Sequence, residues 1–237
     1  MERLDKIIAS QGKLSRSEVK KLVKLGLVTV NGIAAKTSDM KCDAFKDDIA
    51  VSGVSLSYRK NLYIMLNKPK GVISATEDTS QKTVLDLIPE ELFRPGLFPA
   101  GRLDSDTTGF VLITDDGDFA HRILSPKNHI MKTYHTTLRS PLSPDDIVRF
   151  KEGLTLGDGT KCLEAYVRML PEAKTVAEVK ICEGKYHQVK RMFAALGNKV
   201  LELKRVQMGA LRLDEALGEG ECRELTAEEV ALLTQKD

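Results

Sequence analysis

An apolar run, Phe110-Val111-Leu112-Ile113, directly follows a polar loop that has a glycine at each end. The run predicts a short buried strand, because consecutive apolar residues of this length are typical of strands inside a sheet. Gly101 and Gly109 allow the loop backbone to bend tightly around a ligand. Within the loop, Leu103 can anchor the chain in a core next to the carboxylate of Asp104. Such a loop can hold a reactive carboxylate, although the same residues also fit a charged surface turn.

Residues 1–58 have the pattern of a small separate module. Two short helices are predicted from apolar residues at helical spacing, which are Leu4, Ile7, Ile8, Val19, Leu22 and Val23. Ser15 and Glu18 fit a capping box at the start of the second helix, and Gly26 is placed to end it. Asn31-Gly32 then predicts a tight hairpin turn. Strands are predicted at residues 28–30 and 49–51.

Positive charge is concentrated in this module. Residues 1–60 contain 12 Lys and Arg against 7 Asp and Glu, a balance of +5, whereas the remaining residues have a balance of −3. Arg16, Lys20 and Lys24 are spaced by four and therefore share one face of the second helix. A basic helical face suits contacts with the phosphates of a nucleic acid, although it can also be only a solvated surface. Arg3, Lys6 and Lys21 are expected to widen this basic patch.

Residues 59–237 mix helices and strands without a regular βαβ alternation. This order predicts an α+β fold with a mixed, largely antiparallel sheet. Strands are predicted at 62–66, 110–114, 133–138 and 176–181, and a turn at 115–117. Helices are predicted after Ser143, along the stripe formed by Val189, Met192, Phe193 and Leu196, and after the cap formed by Thr226 and Glu229.

The four cysteines, Cys42, Cys162, Cys182 and Cys222, lie far apart in the chain. This spacing argues against a zinc ribbon or a CxxC redox site and favours a reducing, cytoplasmic compartment. No apolar run approaches the length of a membrane span, and no signal region follows the first residues. We therefore expect a cytoplasmic protein without a membrane segment.

The N-terminal module resembles the S4 RNA-binding domain. The residues that carry this resemblance are Arg3-Leu4-Asp5-Lys6, Ser15-Arg16-Ser17, Lys24, Gly26 and Val28-Thr29-Val30-Asn31-Gly32. Three stretches of the second domain, at residues 101–108, 132–134 and 183–192, resemble a pseudouridine synthase. Their order and the preceding S4-like module make the chain most similar to the ribosomal small-subunit pseudouridine synthase family.

This resemblance implies that a specific uridine of ribosomal RNA, in the 16S RNA of the small subunit, is isomerised to pseudouridine. The base is detached from C1′ of its ribose, turned, and rejoined through C5, and the reaction needs no metal or cofactor. By resemblance Asp104 is the nucleophile and Tyr134 is the active-site tyrosine, which can stack on the base or help to move a proton. Lys190 is expected to pair with Asp104, because a nearby cation favours a charged carboxylate.

Other residues near these motifs receive less direct roles. Arg191 and Arg102 are expected to contact RNA phosphate, and Arg102 can alternatively pair with Asp106. His187 is expected to shape the start of its helix. Asp104 and Asp106 are only two residues apart, which argues against a glycosidase pair acting from both sides of a sugar.

Several alternatives remain open at the level of the sequence. A large-subunit synthase of the same architecture and a non-catalytic RNA-binding assembly factor are the main ones. The expected partner is ribosomal RNA or a small-subunit assembly intermediate, and the protein is expected to be a monomer. The sequence does not identify the target uridine, and it leaves open whether Asp104 attacks the ribose, attacks the base or assists formation of a glycal.

Overall fold

A computed structural model of the chain describes residues 1–171 and 173–235. The contacts divide the chain into two compact units. The first comprises residues 1–62 together with 89–97, and the second comprises 63–88 together with the described residues from 98 onward. Residues 59–62 and 89–97, which lie within the predicted second domain of 59–237, thus group with the N-terminal unit.

The first unit contains two short helices and small antiparallel sheets. Its elements are β1 (Glu2–Arg3), α1 (Leu4–Ala9), α2 (Arg16–Lys24), β2 (Val28–Val30), β3 (Ile33–Ala34), β4 (Lys41–Cys42), β5 (Ile49–Val51) and β6 (Val54–Ser55). The capping box predicted at Ser15 and Glu18 is present at the start of α2. Asn31 and Gly32 both have positive φ, as a two-residue hairpin turn between β2 and β3 requires.

The core of the first unit forms where the two helices pack against the β2–β5 sheet. Its buried members include Leu4, Ile7, Ile8, Val19, Val23, Val28 and Ile49. All but Ile49 belong to the predicted helical stripes or the predicted first strand, and Ile49 begins the predicted closing strand. The apolar pattern of residues 1–58 therefore predicted most of this core. It did not identify Ala35 and Cys42, which are also buried in it, and Leu22 of the predicted stripe is only partly buried.

The second unit is built around one mixed sheet. Its elements are β7 (Tyr63–Lys68), β8 (Phe98–Ala100), β9 (Thr108–Thr114), α3 (Gly117–Leu124), β10 (Lys132–Leu138), α4 (Pro144–Glu152), β11 (Tyr166–Met169), β12 (Val176–Ile181), α5 (Gln188–Ala195), β13 (Val200–Met208), β14 (Leu211–Arg212), β15 (Cys222–Glu224) and α6 (Ala227–Leu232). The main path through the sheet is β11-β12-β10-β13-β9-β7-β15. Only the β9–β13 pair in this sheet is parallel among the described residues, so the predicted α+β fold with a largely antiparallel sheet is confirmed.

Strand β9 lies inside this sheet, as its apolar run predicted. All seven of its residues are buried. Gly109, at φ +98°, lies so close to β13 that a Cβ atom would be 2.2 Å from the carbonyl oxygen of Arg205. Because any side chain would collide with this backbone, only glycine allows the two strands to pair at this point. The end of the polar loop is thereby fixed against β13.

The prediction at residues 115–117 was incomplete, because the turn leads directly into helix α3. The Asp116 carboxylate accepts a hydrogen bond from the backbone N–H of Phe119 and caps the helix. Phe119, Ala120 and Ile123 then pack into the core of the second unit. Gly117 at the first helical position made the segment resemble an isolated turn. In the described part of the chain, no helix is long and apolar enough to cross a membrane.

Candidate active site

The polar loop between β8 and β9 is fixed by hydrogen bonds to the segment that follows β7. The backbone N–H of Gly71 donates to the carbonyl of Ser105 at 2.8 Å. The Ser74 hydroxyl donates to the carbonyl of Leu103 and accepts from the Leu103 N–H, both at 3.0 Å. These bonds fix the backbone on both sides of Asp104, whose own side chain remains partly exposed at 26%.

Lys68, at the end of β7, anchors the same loop from inside the protein. Its side chain is fully buried, and its Nζ donates to the carbonyls of Pro69, Ser105 and Thr107 at 3.0, 3.3 and 2.9 Å. Sequence reasoning did not single out this lysine, because a Lys in a Lys-Pro-Lys-Gly turn has the pattern of a surface residue.

Lys68→Met should loosen the loop and lower the free energy of unfolding. The variant keeps the aliphatic stem but leaves three carbonyls without their charged donor, so we expect a loss of about 1–3 kcal/mol and reduced turnover. Urea unfolding measures the first effect. Lys70→Met is the matched control, since Lys70 is exposed and its ion pair is with Glu202 on the surface. An equally large loss of stability in this control would contradict the anchoring role of Lys68.

The stability contributed at Lys68 should also depend on pH. Burial lowers the pKa of Lys68 to about 8 from the usual 10.5. The folded protein therefore binds this proton more weakly than the unfolded chain, and stability should rise as the pH increases from about 8 to 10.5. Burial lowers the pKa of Lys132 to about 8 as well, so the rise should be reduced, not abolished, in Lys68→Met. An equal rise in both proteins would contradict this contribution.

Helix α5 and the residue directly before it bring two further side chains to Asp104. The Lys190 Nζ donates to Asp104 Oδ2 at 2.8 Å and to Asp106 Oδ1 at 2.5 Å. The His187 Nε2 lies 3.3 Å from the other oxygen, Asp104 Oδ1. Both oxygens of the Asp104 carboxylate are thus oriented by residues more than eighty positions later in the chain. The pairing of Arg102 with Asp106, considered from the sequence, is replaced by the Lys190–Asp106 pair.

The charges in this cluster support one another. Partial burial acts to lower the pKa of Lys190, but its bonds to Asp104 and Asp106 outweigh burial and raise it. The hydrogen bond from Lys190 also holds the pKa of Asp106 below its usual range. Lys190 therefore remains a cation at neutral pH.

Tyr134 lies on β10 beside this cluster. It is buried, and it lines a cleft whose other walls include Arg102, Asp104, Ile181, His187, Lys190 and Leu203. Strand pairing places Tyr134 opposite Arg205 of β13 and Val179 of β12, which sets its position in the sheet. The structure thus brings Asp104, Tyr134 and Lys190 together at one cleft.

The start of α5 is fixed by a buried carboxylate that sequence reasoning did not identify. Glu183 Oε1 accepts from the backbone N–H of Leu163 at 2.9 Å and from the Gln188 Nε2 at 2.6 Å. Its other oxygen pairs with Lys185. The Lys185 N–H donates in turn to Gln188 Oε1 at 2.9 Å. This network sets the direction in which His187 and Lys190 project.

The two arginines expected to contact RNA lie in different surroundings. Arg102 is exposed and lines the cleft beside Asp104. Arg191 instead pairs with Asp158 at 2.5 Å and donates to the carbonyl of Tyr186 at 3.3 Å. Their RNA contacts stay predictions.

In the first unit, part of the basic patch lines a groove of about 520 Å³. The basic residues along the groove are Arg3, Arg16, Lys20, Lys24 and Lys36. Lys36 was not expected from the sequence. Arg3 pairs with Asp5 at 2.8 Å, whereas Arg16, Lys20 and Lys24 form no ion pair in the described part of the chain. Lys6, which pairs with Glu2, and the exposed Lys21 lie outside the groove.

Comparison with known proteins places this arrangement in a family. Residues 62–195 match the family model of RNA pseudouridylate synthases. The chain belongs to this family. Residues 2–49 match the S4 domain, so the predicted S4 RNA-binding domain and the predicted class of enzyme, an isomerase that forms pseudouridine in RNA, are both confirmed.

Relatives of this synthase match it along nearly its whole length. An uncharacterized RNA pseudouridine synthase of Bacillus subtilis, YtzG, is 48% identical over 235 residues, which cover 98% of each chain. Ribosomal small subunit pseudouridine synthase A of Escherichia coli is 43% identical over 230 residues, covering 97% of this chain and 98% of that protein. A crystal structure of a pseudouridylate synthase, 40% identical, superposes with a TM-score of 0.68 over 98% of this chain and all of the other.

Proposed function

We propose that this synthase converts one uridine of small-subunit ribosomal RNA into pseudouridine, with Asp104 as the nucleophile. The observation that carries this proposal is the carboxylate of Asp104, held by Lys190 and flanked by His187 at a cleft that Tyr134 also lines. A carboxylate oriented by a cation and left partly exposed is suited to attack a substrate that enters from solvent.

The proposed chemistry uses these residues in separate roles. Asp104 forms a covalent bond to the nucleotide while the bond between C1′ and N1 of the uridine breaks. The uracil then turns, and C5 bonds to C1′ as the carboxylate is released. C5 gives up its proton, and N1, which kept the electron pair of the broken bond, takes one up. Tyr134 stacks on the base or moves a proton, and Lys190 orients the Asp104 carboxylate through its hydrogen bond to Oδ2.

The target uridine must leave its stack to reach Asp104, and its extrusion costs a few kcal/mol. Binding of the surrounding RNA has to offset that cost. The basic groove of the S4 domain is suited to this task, because Arg16, Lys20 and Lys24 line it and form no ion pair with any residue that the structure describes. The choice of small-subunit RNA rests on relatives named ribosomal small subunit pseudouridine synthase A.

Mapping pseudouridine in both ribosomal RNAs tests this proposal. RNA from cells with and without the gene is labelled with a carbodiimide and analysed by primer extension. We expect one modified position in the small-subunit RNA to disappear without the gene and to return with the wild-type gene but not with Asp104→Asn. Loss of a position only in the large-subunit RNA would favour the large-subunit alternative, and no loss in either RNA would contradict the proposal.

Reversing the charge of Arg16, Lys20 and Lys24 to Glu should weaken RNA binding and reduce its dependence on salt. Each phosphate contact on single-stranded RNA adds about 0.7 to the slope of log affinity against log salt, so three lost contacts should flatten the slope by about 2. Binding titrations at several salt concentrations measure this change. The matched control reverses Lys13, Lys46 and Lys60, which lie outside the groove. Equal slopes in the two variants would show that only net charge matters.

A further inference from the structure

Tyr186 is an aromatic residue that lies mostly in solvent beside the active site. It is 76% exposed, although it directly precedes His187, whose side chain reaches Asp104. Single exposed aromatic residues are common on protein surfaces, so exposure alone assigns no role. The arrangement of the ring is more informative.

The phenol ring of Tyr186 stacks on the imidazole of His187. Their centroids are 3.8 Å apart, and their planes differ by 18°. The imidazole covers only one face of the phenol ring, so the opposite face is available to a second planar group. The two rings thus form a stack in which His187 lies next to Asp104 and Tyr186 faces solvent.

The backbone holds this pair in place. His187 has φ +48°, in the left-handed region that residues with a side chain rarely adopt. Non-glycine residues held in this conformation cluster at functional sites, where the surrounding structure imposes it. Here it accompanies the approach of His187 Nε2 to 3.3 Å from Asp104. Arg191 Nη1 also donates a hydrogen bond to the carbonyl of Tyr186, which restrains the backbone of Tyr186 itself.

We propose that Tyr186 is the platform on which a nucleobase next to the target uridine stacks, with His187 as the positioning residue that fixes the platform relative to Asp104. This assignment rests on the proposed function. Extrusion of a uridine removes a stacking partner from its neighbours, and an exposed aromatic face can replace that partner.

A binding experiment that combines protein and RNA changes tests the platform. Wild-type protein, Tyr186→Ala and Tyr186→Phe are titrated with a short RNA containing the uridine that the wild-type enzyme modifies. In a series of RNAs, each nucleotide flanking that uridine is replaced in turn by an abasic one. Tyr166→Ala is the matched control, since Tyr166 is a partly exposed tyrosine on the edge strand β11.

Tyr186→Ala should bind the intact RNA about 5- to 150-fold more weakly, as expected for the loss of one base stacked on an aromatic ring. Tyr186→Phe and Tyr166→Ala should bind like the wild type. When one particular flanking nucleotide is made abasic, the affinity of the wild-type protein should fall by the same factor. The same abasic replacement should not weaken binding by Tyr186→Ala any further, because both changes remove the same stacking contact. In turnover, Tyr186→Ala should raise KM at nearly constant kcat, whereas His187→Ala should raise KM and also lower kcat.

Unchanged affinity of Tyr186→Ala for the intact RNA would overturn the platform. So would a loss of affinity that is equal at every abasic position, because the ring would then contact something other than one base. In either case, normal turnover by the wild type would leave the proposed function standing. A wild-type enzyme that forms no pseudouridine in ribosomal RNA would overturn the proposed function and this assignment together.

Discussion

Asp104→Asn should bind RNA about as tightly as the wild-type protein and form no detectable pseudouridine. The amide has nearly the same size as the carboxylate and can still accept a hydrogen bond from Lys190, so the loop should keep its fold. It is a far weaker nucleophile, and the loss of an essential nucleophile lowers turnover by about 10⁴-fold or more. Release of tritium from RNA labelled at C5 of uridine measures the remaining activity.

Asp106→Asn is the matched control for this variant. Asp106 also pairs with Lys190, but its side chain is 68% exposed and it does not line the cleft. We expect this variant to retain most of its turnover, because Lys190 still has Asp104 as a partner. Substantial turnover by a contaminant-free Asp104→Asn preparation, or an equal loss in both variants, would contradict the role of Asp104 as nucleophile.

Lys190→Met should lower turnover strongly while changing stability little. Met fills the space of the aliphatic stem but removes the cation that orients Asp104 Oδ2 at 2.8 Å. A misplaced catalytic group can cost about 10²-fold in rate, and we expect a loss of this size in kcat. The pair is about one-quarter exposed, so its removal should cost only about 1 kcal/mol of unfolding free energy.

Two further variants, one at Lys190 and one at its neighbour Arg191, separate the effect of the positive charge from the effect of its position. Lys190→Arg should retain part of the activity, because the positive charge remains while the shape of the donor differs. Arg191→Met is the control for loss of a neighbouring cation, since Arg191 pairs with Asp158. Its rate is compared at saturating RNA, because Arg191 is also predicted to contact phosphate. Single-turnover kinetics of the three variants measure the rate of the reaction, and thermal unfolding measures their stability. Normal turnover by Lys190→Met would assign the orientation of Asp104 to another group, with His187 the nearest candidate.

Local features of the fold could be predicted because each depends on residues close together in the chain. The capping boxes at Ser15, Ser143 and Thr226 are all present, and each begins a helix within one residue of its predicted start. The Asn31-Gly32 turn and the buried run in β9 formed for the same reason. Helix α3 was missed because Gly117 at its first position hid a short amphipathic pattern behind a turn signal.

The site could be predicted only in part, and that part came from recognised motifs. Asp104, Tyr134 and Lys190 were named through resemblance, and the structure brings them to one cleft. Nothing in their spacing requires this, because Lys190 lies 86 residues beyond Asp104. Their proximity depends on the order of strands in the sheet, in which β13 lies between β9 and β10.

The sequence by itself determined the two-part organisation, the α+β class and the residue types available for catalysis, because apolar periodicity and turn residues act over a few positions. The tertiary structure alone decided that Lys68 is a buried anchor, that His187 adopts a left-handed backbone next to Asp104, and that residues 89–97 group with the N-terminal unit. The physical reason is that burial, hydrogen bonds and ion pairs at these positions join residues far apart in the chain. A lysine in a polar turn has the same local pattern whether its ammonium meets water or three carbonyl oxygens, and only the packing of the folded chain decides between them.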